Sequence, residues 1–397
     1  MSQNAKFIFL KNRFNKFSIR ALITSFEKFF PTLNYLLLDE DESLYKLTFS
    51  DEVLFFSFNT INAIKSIEMA KNLKSKFNQI TTVCGGAHPS AKKESLLNMF
   101  DCVCVNEGEY ILKEIVELYL SEKKVSGIFE NKKIVNLDDF DTYPKKVKMF
   151  GAIEIMRGCQ FKCAYCQTPM LFSKGLRCRS IENILHGVSY SFSHGKKDYR
   201  FITPDAASYM YKNGVNIDAI YNLLSGIKKV TDNKGRIFFG SFPSEINPYF
   251  VNEDLVKVLK EFCSNKRVVI GLQSASPLQL RKMNRSPNIS KIEETIELFL
   301  KYNFIVDVDF IFGLPYETEE SIEETFSWIL KWINRVRIHS HYFMPLPGSL
   351  WENEMPTEIP EKFVKLISQL EGKGKLFGQW NIQSKFSNYL TKKELVT

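Results

Sequence analysis

Three cysteines within eight residues, Cys159, Cys163 and Cys166, constrain this chain more than any other feature. They follow an apolar segment, 151–157, which predicts a β-strand, so they lie on the loop after that strand. Three thiolates on one short loop can ligate three irons of a cubane cluster and leave the fourth iron without a protein ligand. A structural zinc ion normally takes four ligands, and no second close pair of Cys or of Cys and His follows at finger-like spacing. The pattern therefore favours a 4Fe-4S cluster over zinc or a chance triplet.

Short apolar strands alternate with helix-like segments in the first third of the chain. The apolar runs predict strands at 6–10, 33–38, 53–58, 81–85 and 102–105, and a small hairpin over 128–135. Amphipathic stretches at 60–77 and 109–120 predict helices between them. This alternation predicts an α/β fold that begins with a doubly wound, flavodoxin-like or Rossmann-like parallel sheet.

A second series of strands begins at Gly151. Six strands, near 151–157, 199–203, 236–241, 267–272, 304–312 and 336–343, alternate with helices and predict a partial (β/α)6 barrel with its site at the carboxyl ends of the strands. We expect a first domain over 1–145, a barrel over 146–350 and a carboxyl-terminal extension over 351–397.

Composition and charge limit the partners and the cellular compartment that we expect for this protein. The formal charge is +8, but no block of like charges gives a nucleic-acid signal. The apolar run near the start is too short for a signal peptide, and no run approaches the roughly 18 apolar residues of a membrane span. Eight cysteines, three of them tightly spaced, suit a reducing compartment. We therefore expect a cytoplasmic protein with no membrane association.

The cysteine motif, with Tyr165 before its last cysteine, resembles that of the radical S-adenosylmethionine (SAM) superfamily. The resemblance implies that the open iron of the cluster chelates SAM. It also implies that a reductant such as a flavodoxin or ferredoxin drives the cleavage of SAM to a 5′-deoxyadenosyl radical, which attacks a substrate that the sequence does not name.

Further motifs resemble the cofactor contacts of that superfamily. Gly271-Leu272-Gln273-Ser274 resembles the element near the ribose and amino acid parts of SAM, and the segment 309–315 resembles the element near the adenine. The second-strand segment lacks the Gly-Gly-Glu run common in the superfamily. The residues implied to contact SAM are Tyr165, Thr203, Pro204, Ser241, Ser244, Glu245, Gln273, Ser274, Gly313 and Pro315.

A doubly wound domain before such a barrel resembles the cobalamin-binding domain of the vitamin B12 class. Ser57 and the Gly85-Gly86-Ala87-His88-Pro89 element match its pattern, which implies that Ser57, Gly85, Gly86 and His88 line a cobalamin site. The Asp-x-His-x-x-Gly loop that supplies a cobalt ligand is missing after the first strand. Either cobalamin binds without a histidine ligand, or the domain has kept the fold and lost the cofactor, and His88 itself can be a turn-capping residue.

The resemblance as a whole implies a cobalamin-dependent radical SAM enzyme, a class that includes methylases of unactivated carbon and ring-forming enzymes. A radical methylthiotransferase is an alternative, but it needs a second cysteine-bound cluster, for which Cys84, Cys102 and Cys104 are the candidates. A cluster-bearing redox sensor without catalysis is another. His339 and His341, two apart on the last strand, share a face and could hold substrate, relay a proton or serve only structure.

Overall fold

The computed structural model describes residues 5–391 and begins with one six-stranded sheet. Its strands are β1 (Phe7–Lys11), β2 (Tyr35–Asp39), β3 (Val53–Ser57), β4 (Thr81–Gly85), β5 (Cys102–Val105) and β6 (Gly127–Glu130). They are all parallel, in the order β2-β1-β3-β4-β5-β6. The order reverses between β1 and β3, and ligands of such sheets bind beside that reversal, at the carboxyl ends of the strands. The predicted doubly wound sheet is confirmed.

Helices cover both faces of this sheet. They are α1 (Lys16–Phe29), α2 (Ala63–Lys76), α3 (Ala87–Ala91), α4 (Lys93–Leu96) and α5 (Gly108–Leu120). Because successive strand residues point to opposite faces, Phe7 and Phe9 of β1 pack in the core that contains residues of α1 and α5. Ile8 and Leu10 pack in the core that contains residues of α2. The continuous apolar strands thus bury both of their faces.

The hairpin predicted over 128–135 is wrong. β6 ends at Glu130 and pairs only with β5, in parallel. After it, the side chain of Asn131 accepts a hydrogen bond from the Lys133 backbone N–H and donates one to the Lys133 carbonyl, both at 2.9 Å. An asparagine side chain that bonds neighbouring backbone groups takes the place of a strand ladder and produces a turn.

The second part of the chain is an open barrel. Its strands are β7 (Ile153–Glu154), β8 (Met156–Arg157), β9 (Arg177–Cys178), β10 (Asp198–Ile202), β11 (Arg236–Phe238), β12 (Arg267–Gln273), β13 (Ile305–Phe312), β14 (Arg337–Tyr342) and β15 (Leu376–Gly378). They form parallel sheets β11-β10-β7 and β12-β13-β14-β15, and an antiparallel pair β8-β9. An isolated bridge between Ile246 and Ile270 lies between the two parallel sheets. The sheets do not close, so the predicted partial barrel is confirmed.

The barrel helices surround these sheets. They are α6 (Thr168–Leu171), α7 (Ile181–Ser193), α8 (Ile217–Val230), α9 (Glu253–Phe262), α10 (Pro277–Lys282), α11 (Ile289–Lys301), α12 (Glu319–Trp332), α13 (Glu361–Gly372) and α14 (Trp380–Thr391). The tail contributes to the barrel itself, because β15 pairs in parallel with β14. The segment beyond residue 350 therefore adds a strand to the barrel sheet.

A buried ion-pair network joins the first sheet to the barrel. Arg157 of β8 lies 2.8 Å from Glu107, 2.7 Å from Glu109 and 2.8 Å from Glu154. Arg177 adds a second cation, 2.8 Å from Glu107. Because each buried charge has an opposite partner, the network fixes the start of α5 against the strands that flank the cysteine loop.

Among residues 5–391, every helix is too short or too polar to cross a lipid bilayer.

Candidate functional site

The cysteine loop begins at a glycine that no other residue can replace without strain. Gly158 has φ +81°, and a Cβ there would lie 2.3 Å from the carbonyl oxygen of Gly175. Farther along, the Ala164 N–H donates to the Met283 carbonyl, and the Trp351 N–H donates to the Ala164 carbonyl, both at 3.0 Å. The loop is therefore fixed against the turn after α10 and against the segment that follows β14.

The three cysteines open onto one cavity of about 410 Å³, which we call the cysteine cavity. Residues at the carboxyl ends of β10, β12, β13 and β14 line it together with the loop, as expected for a barrel site. The sequence-predicted residues that line it are Cys159, Cys163, Tyr165, Cys166, Thr203, Pro204, Glu245 and Gln273.

Five other residues predicted to contact SAM lie outside this lining: Ser241, Ser244, Ser274, Gly313 and Pro315. Most of them support the walls. Ser274 shares a hydrogen bond of 3.1 Å with Thr325 of α12, and the Pro315 carbonyl accepts one of 2.9 Å from Gln279 of α10. Gly313 has φ +69°, and a Cβ there would lie 2.5 Å from the Tyr342 ring.

Arg285, which the sequence analysis did not single out, lies beside the cysteine loop. Its guanidinium is 3.6 Å from the Cys163 Sγ and 3.3 Å from the Tyr165 hydroxyl, and it donates to the Gly271 carbonyl. Burial works against its charge, but Tyr165 and Cys163 outweigh that effect and raise the pKa of Arg285. A fixed positive charge therefore faces a cysteine sulfur.

The thiols of Cys159 and Cys166 favour the neutral form in the absence of a bound cation. Burial raises the pKa of Cys159 to about 11, and burial also raises the pKa of Cys166. Bound iron would supply the positive charge that turns these thiols into thiolates. Three soft sulfur donors that share one cavity, with Arg285 donating to one of them, fit a 4Fe-4S cluster.

Two carboxyl groups, Glu245 and Asp309, meet in the lining of the same cavity. Glu245 hydrogen-bonds to Asp309, and burial together with the Asp309 charge raises the pKa of Glu245 to about 8. Asp309 in turn lies 2.8 Å from His339 Nδ1 and 3.9 Å from His341 Nε2. Asp309 and His341 line the cavity, so acidic and imidazole groups share it with the cysteines.

A second cavity of about 320 Å³ lies at the carboxyl ends of β1, β3, β4 and β5, and we call it the aromatic cavity. Four phenylalanines, Phe14, Phe17, Phe58 and Phe172, are among its lining residues. Of the residues predicted for cobalamin, Ser57, Gly85 and Gly86 line it and His88 does not.

His88 is buried in α3, beneath the aromatic cavity. Its Nδ1 lies 3.3 Å from the Thr60 hydroxyl, and burial lowers the pKa of His88 to about 4. Gly86 has φ +111°, and a Cβ there would lie 2.6 Å from the Phe58 carbonyl oxygen. The Gly-Gly-x-His element therefore packs two loops together, and its glycines and Ala87 reach the cavity, whereas His88 does not.

The residues that line the aromatic cavity fit a flat apolar group that is held without a protein ligand. Aromatic rings and the small residues Ser57, Gly85 and Gly86 offer apolar surface and close backbone approach. The loop after β1 contributes Phe14 and Asn15 to the lining. The Asn15 side chain donates to the Leu10 and Ser57 carbonyls, so it closes the loop against β3.

The three cysteines considered for a second cluster, Cys84, Cys102 and Cys104, do not lie on one face of the sheet. Cys84 packs in the core on one face of the first sheet, whereas Cys102 and Cys104 pack in the core on the other face. All three are buried, and burial raises the pKa of each thiol. Cys84 therefore packs on the opposite face of the sheet from Cys102 and Cys104, although Cys84 and Cys104 both belong to the lining of the aromatic cavity.

Comparisons with known proteins agree with the barrel assignment. Residues 153–329 match the model of the Radical SAM superfamily. A Helicobacter pylori protein assigned as a methylthiotransferase is 30% identical over 65% of this chain and 60% of its own length. The chain thus spans about 60% of that relative. The ribosomal protein uS12 methylthiotransferase RimO of Campylobacter jejuni is 23% identical over 78% of this chain and 71% of its own length.

Solved structures share the arrangement of both parts. The radical SAM methyltransferase TsrM from Kitasatospora setae, solved with cobalamin and a 4Fe-4S cluster, superposes with a TM-score of 0.68 at 14% identity. The match covers 88% of this chain and 77% of TsrM. The cobalamin-dependent radical enzyme OxsB gives a TM-score of 0.64 at 15% identity, over 82% of this chain and 52% of OxsB. At these identities the likeness concerns the fold.

Residues 153–329 therefore match the Radical SAM superfamily, and both parts of the chain share the fold of TsrM and OxsB.

Proposed function

We propose that this enzyme is cobalamin-dependent and transfers a methyl group to an unactivated carbon of its substrate. The observation that supports this proposal most directly is that the two cavities lie on either side of α6. Thr168, at the start of this four-residue helix, lines the cysteine cavity, and Leu171, at its end, lines the aromatic cavity. Groups bound in the two cavities would be separated by one helical turn.

The residues of the cysteine cavity would have different roles. Cys159, Cys163 and Cys166 would hold the cluster, which supplies the electron that cleaves SAM to a 5′-deoxyadenosyl radical. Tyr165, Thr203, Pro204, Glu245 and Gln273 line the space left for SAM. Arg285 keeps a positive charge beside the cluster ligands.

The aromatic cavity would take cobalamin, which serves as the methyl carrier in enzymes that bind it. Phe14, Phe58 and Phe172 offer it apolar faces, and Ser57, Gly85 and Gly86 allow close backbone approach. TsrM has the same fold and was solved with cobalamin and a cluster bound, which supports this assignment.

The Helicobacter pylori and Campylobacter jejuni relatives are named for a different reaction, methylthio transfer. A methylthiotransferase of this layout needs a second cluster in its first domain. The opposite orientation of Cys84 and the pair Cys102 and Cys104 argues against that cluster. Methyl transfer therefore accounts for this structure better.

Iron content separates the two reactions. Anaerobically reconstituted protein should hold about four irons per chain, as one cubane cluster requires. The triple variant C159A/C163A/C166A should hold none, whereas the matched variant C84A/C102A/C104A should keep about four. About four irons retained by the first variant would contradict the proposal and support a methylthiotransferase.

Reaction products separate an enzyme from a redox sensor. The reduced protein with SAM should release 5′-deoxyadenosine, and with corrinoid and substrate it should also release S-adenosylhomocysteine. A sensor would release neither product. A radical enzyme without methyl transfer would release only 5′-deoxyadenosine.

A further inference from the structure

Three potential metal ligands converge on neighbouring strands beside the cysteine cavity. Asp309 of β13 pairs in register with His339 of β14, and His341 lies two residues farther along β14. One ligand atom from each residue lies within 4.8 Å of the other two. Asp309 is buried, and both imidazoles are partly exposed.

Asp309 makes one short contact and one longer contact with the two imidazoles. The contact of 2.8 Å between Asp309 Oδ1 and His339 Nδ1 is a normal hydrogen bond. The 3.9 Å from Asp309 Oδ2 to His341 Nε2 is too long for one, although the two groups face each other. Ligands about 2.1 Å from one ion lie about 3 to 3.5 Å apart, so a small shift of both rings would give all three residues one common ion.

Neighbouring contacts hold both imidazoles in place. Gln383 of α14 contacts His341 Nδ1 at 3.4 Å, which leaves the Nε2 of that ring for an ion. The same Gln383 accepts a hydrogen bond of 2.8 Å from the Tyr342 N–H. His339 stacks on Phe377 of β15, with ring centroids 4.9 Å apart. Contacts of this kind orient the histidine ligands of known metal sites.

The local charge also favours a cation. Glu245, which is partly exposed, hydrogen-bonds to the buried Asp309, so two carboxyl groups lie together. Arg285 is the cation that faces them, but its guanidinium also donates to Cys163, Tyr165 and Gly271. Buried carboxylates are stable when they are paired with a cation or coordinate a metal.

We propose that Asp309, His339 and His341 bind a divalent transition-metal ion such as Zn²⁺, Fe²⁺ or Mn²⁺. Two imidazoles and one carboxylate suit these ions and leave coordination positions open. Because Asp309 and His341 line the cysteine cavity, the open positions face the space between this triad and the cluster. They would take an oxygen or nitrogen atom of the substrate. The site does not depend on whether the enzyme binds cobalamin.

Zinc binding by the cluster-loaded holoprotein tests this site, because the occupied cysteines do not compete for zinc. Anaerobic calorimetry should show about one tight Zn²⁺ per chain for the wild type. H341A and D309N should lose tight binding, and Q383L should bind about tenfold more weakly. H186A, which removes an exposed histidine of α7, should match the wild type. No tight zinc in the wild type, or equal binding by H341A and H186A, would overturn the proposal.

Zinc-edge X-ray absorption on the wild type gives a readout that needs no variant. The proposal predicts nitrogen and oxygen ligands at about 2.0 to 2.2 Å, with imidazole scattering. Sulfur ligands at about 2.3 Å would place the zinc on cysteines and refute the site. Iron content of each variant, measured beside the zinc, reports whether the barrel still holds its cluster.

Discussion

At the scale of single residues, function concentrates on a few buried polar groups that face two cavities. The spacing of Cys159, Cys163 and Cys166 along the chain is enough to predict that they bind a 4Fe-4S cluster. Arg285 carries no such signal, because it lies 14 positions after Gly271 and meets the cysteine loop only through folding. The positive charge beside the sulfur is therefore a tertiary feature.

Replacing Arg285 with methionine should lower the reduction potential of the cluster. The variant loses a positive charge and a donor to Cys163, both of which favour the reduced, more negative cluster. A hydrogen bond to a charged group is worth about 1.5 to 3 kcal/mol, so we expect a decrease of about 60 mV or more. EPR-monitored redox titration measures it, with R281M, at an exposed position of α10, as the control. Equal potentials for R285M and R281M would refute this role.

His88 should make the fold sensitive to acid. Its pKa of about 4 in the folded chain lies below the usual 6.5, because burial disfavours the charged ring. Between pH 6.5 and 4 the unfolded chain takes up a proton that the folded chain does not, so stability decreases as pH decreases, by about 3 kcal/mol in total.

Urea denaturation at pH 7 and pH 4.5 measures this dependence. The free energy of unfolding of H88N should change less between the two values than that of the wild type. H186N, at an exposed position, should keep the wild-type dependence. The same dependence in H88N and the wild type would show that His88 does not titrate in this range.

At the scale of elements, periodicity predicts strands well where both faces are buried. β4 and β5 begin and end where the apolar runs do. Prediction fails where a side chain decides between turn and strand, as Asn131 does after β6. It also fails for β15, whose three residues become a strand only because β14 offers an open edge. The 271–274 motif predicted residues near the SAM site at the end of a strand. Gln273 lines the cysteine cavity, whereas the neighbouring Ser274 hydrogen-bonds to Thr325 of α12.

The ion-pair network between α5 and β8 should hold the two parts together. R157M removes the cation that pairs with Glu109 and Glu154 and leaves Glu107 paired with Arg177 alone. Breaking a buried pair by removing one partner costs about 3 to 5 kcal/mol. R236M breaks the exposed pair with Asp198 and should cost about 1 kcal/mol or less. Chemical denaturation of both variants tests the difference, and equal losses would mean that the network adds no stability.

At the scale of the whole molecule, the two parts each contribute walls to the aromatic cavity. Strand ends of the first sheet supply one side, and barrel residues from Glu154 to Ile202 supply the other. The sequence predicts each part from its own periodicity. It does not predict their contact, because the contact depends on Arg157 and its carboxylates, which are far apart along the chain.

Corrinoid binding by the anaerobic, cluster-loaded protein tests the central claim most directly. The account predicts about one cobalamin per chain after gel filtration. It also predicts that A87W, which places a large ring in the aromatic cavity, abolishes binding, while L97W, at an exposed position, does not. Ultraviolet-visible spectra with and without SAM follow the bound corrinoid. Protein that holds its cluster but takes up no corrinoid would contradict the account and leave the first domain without a cofactor role.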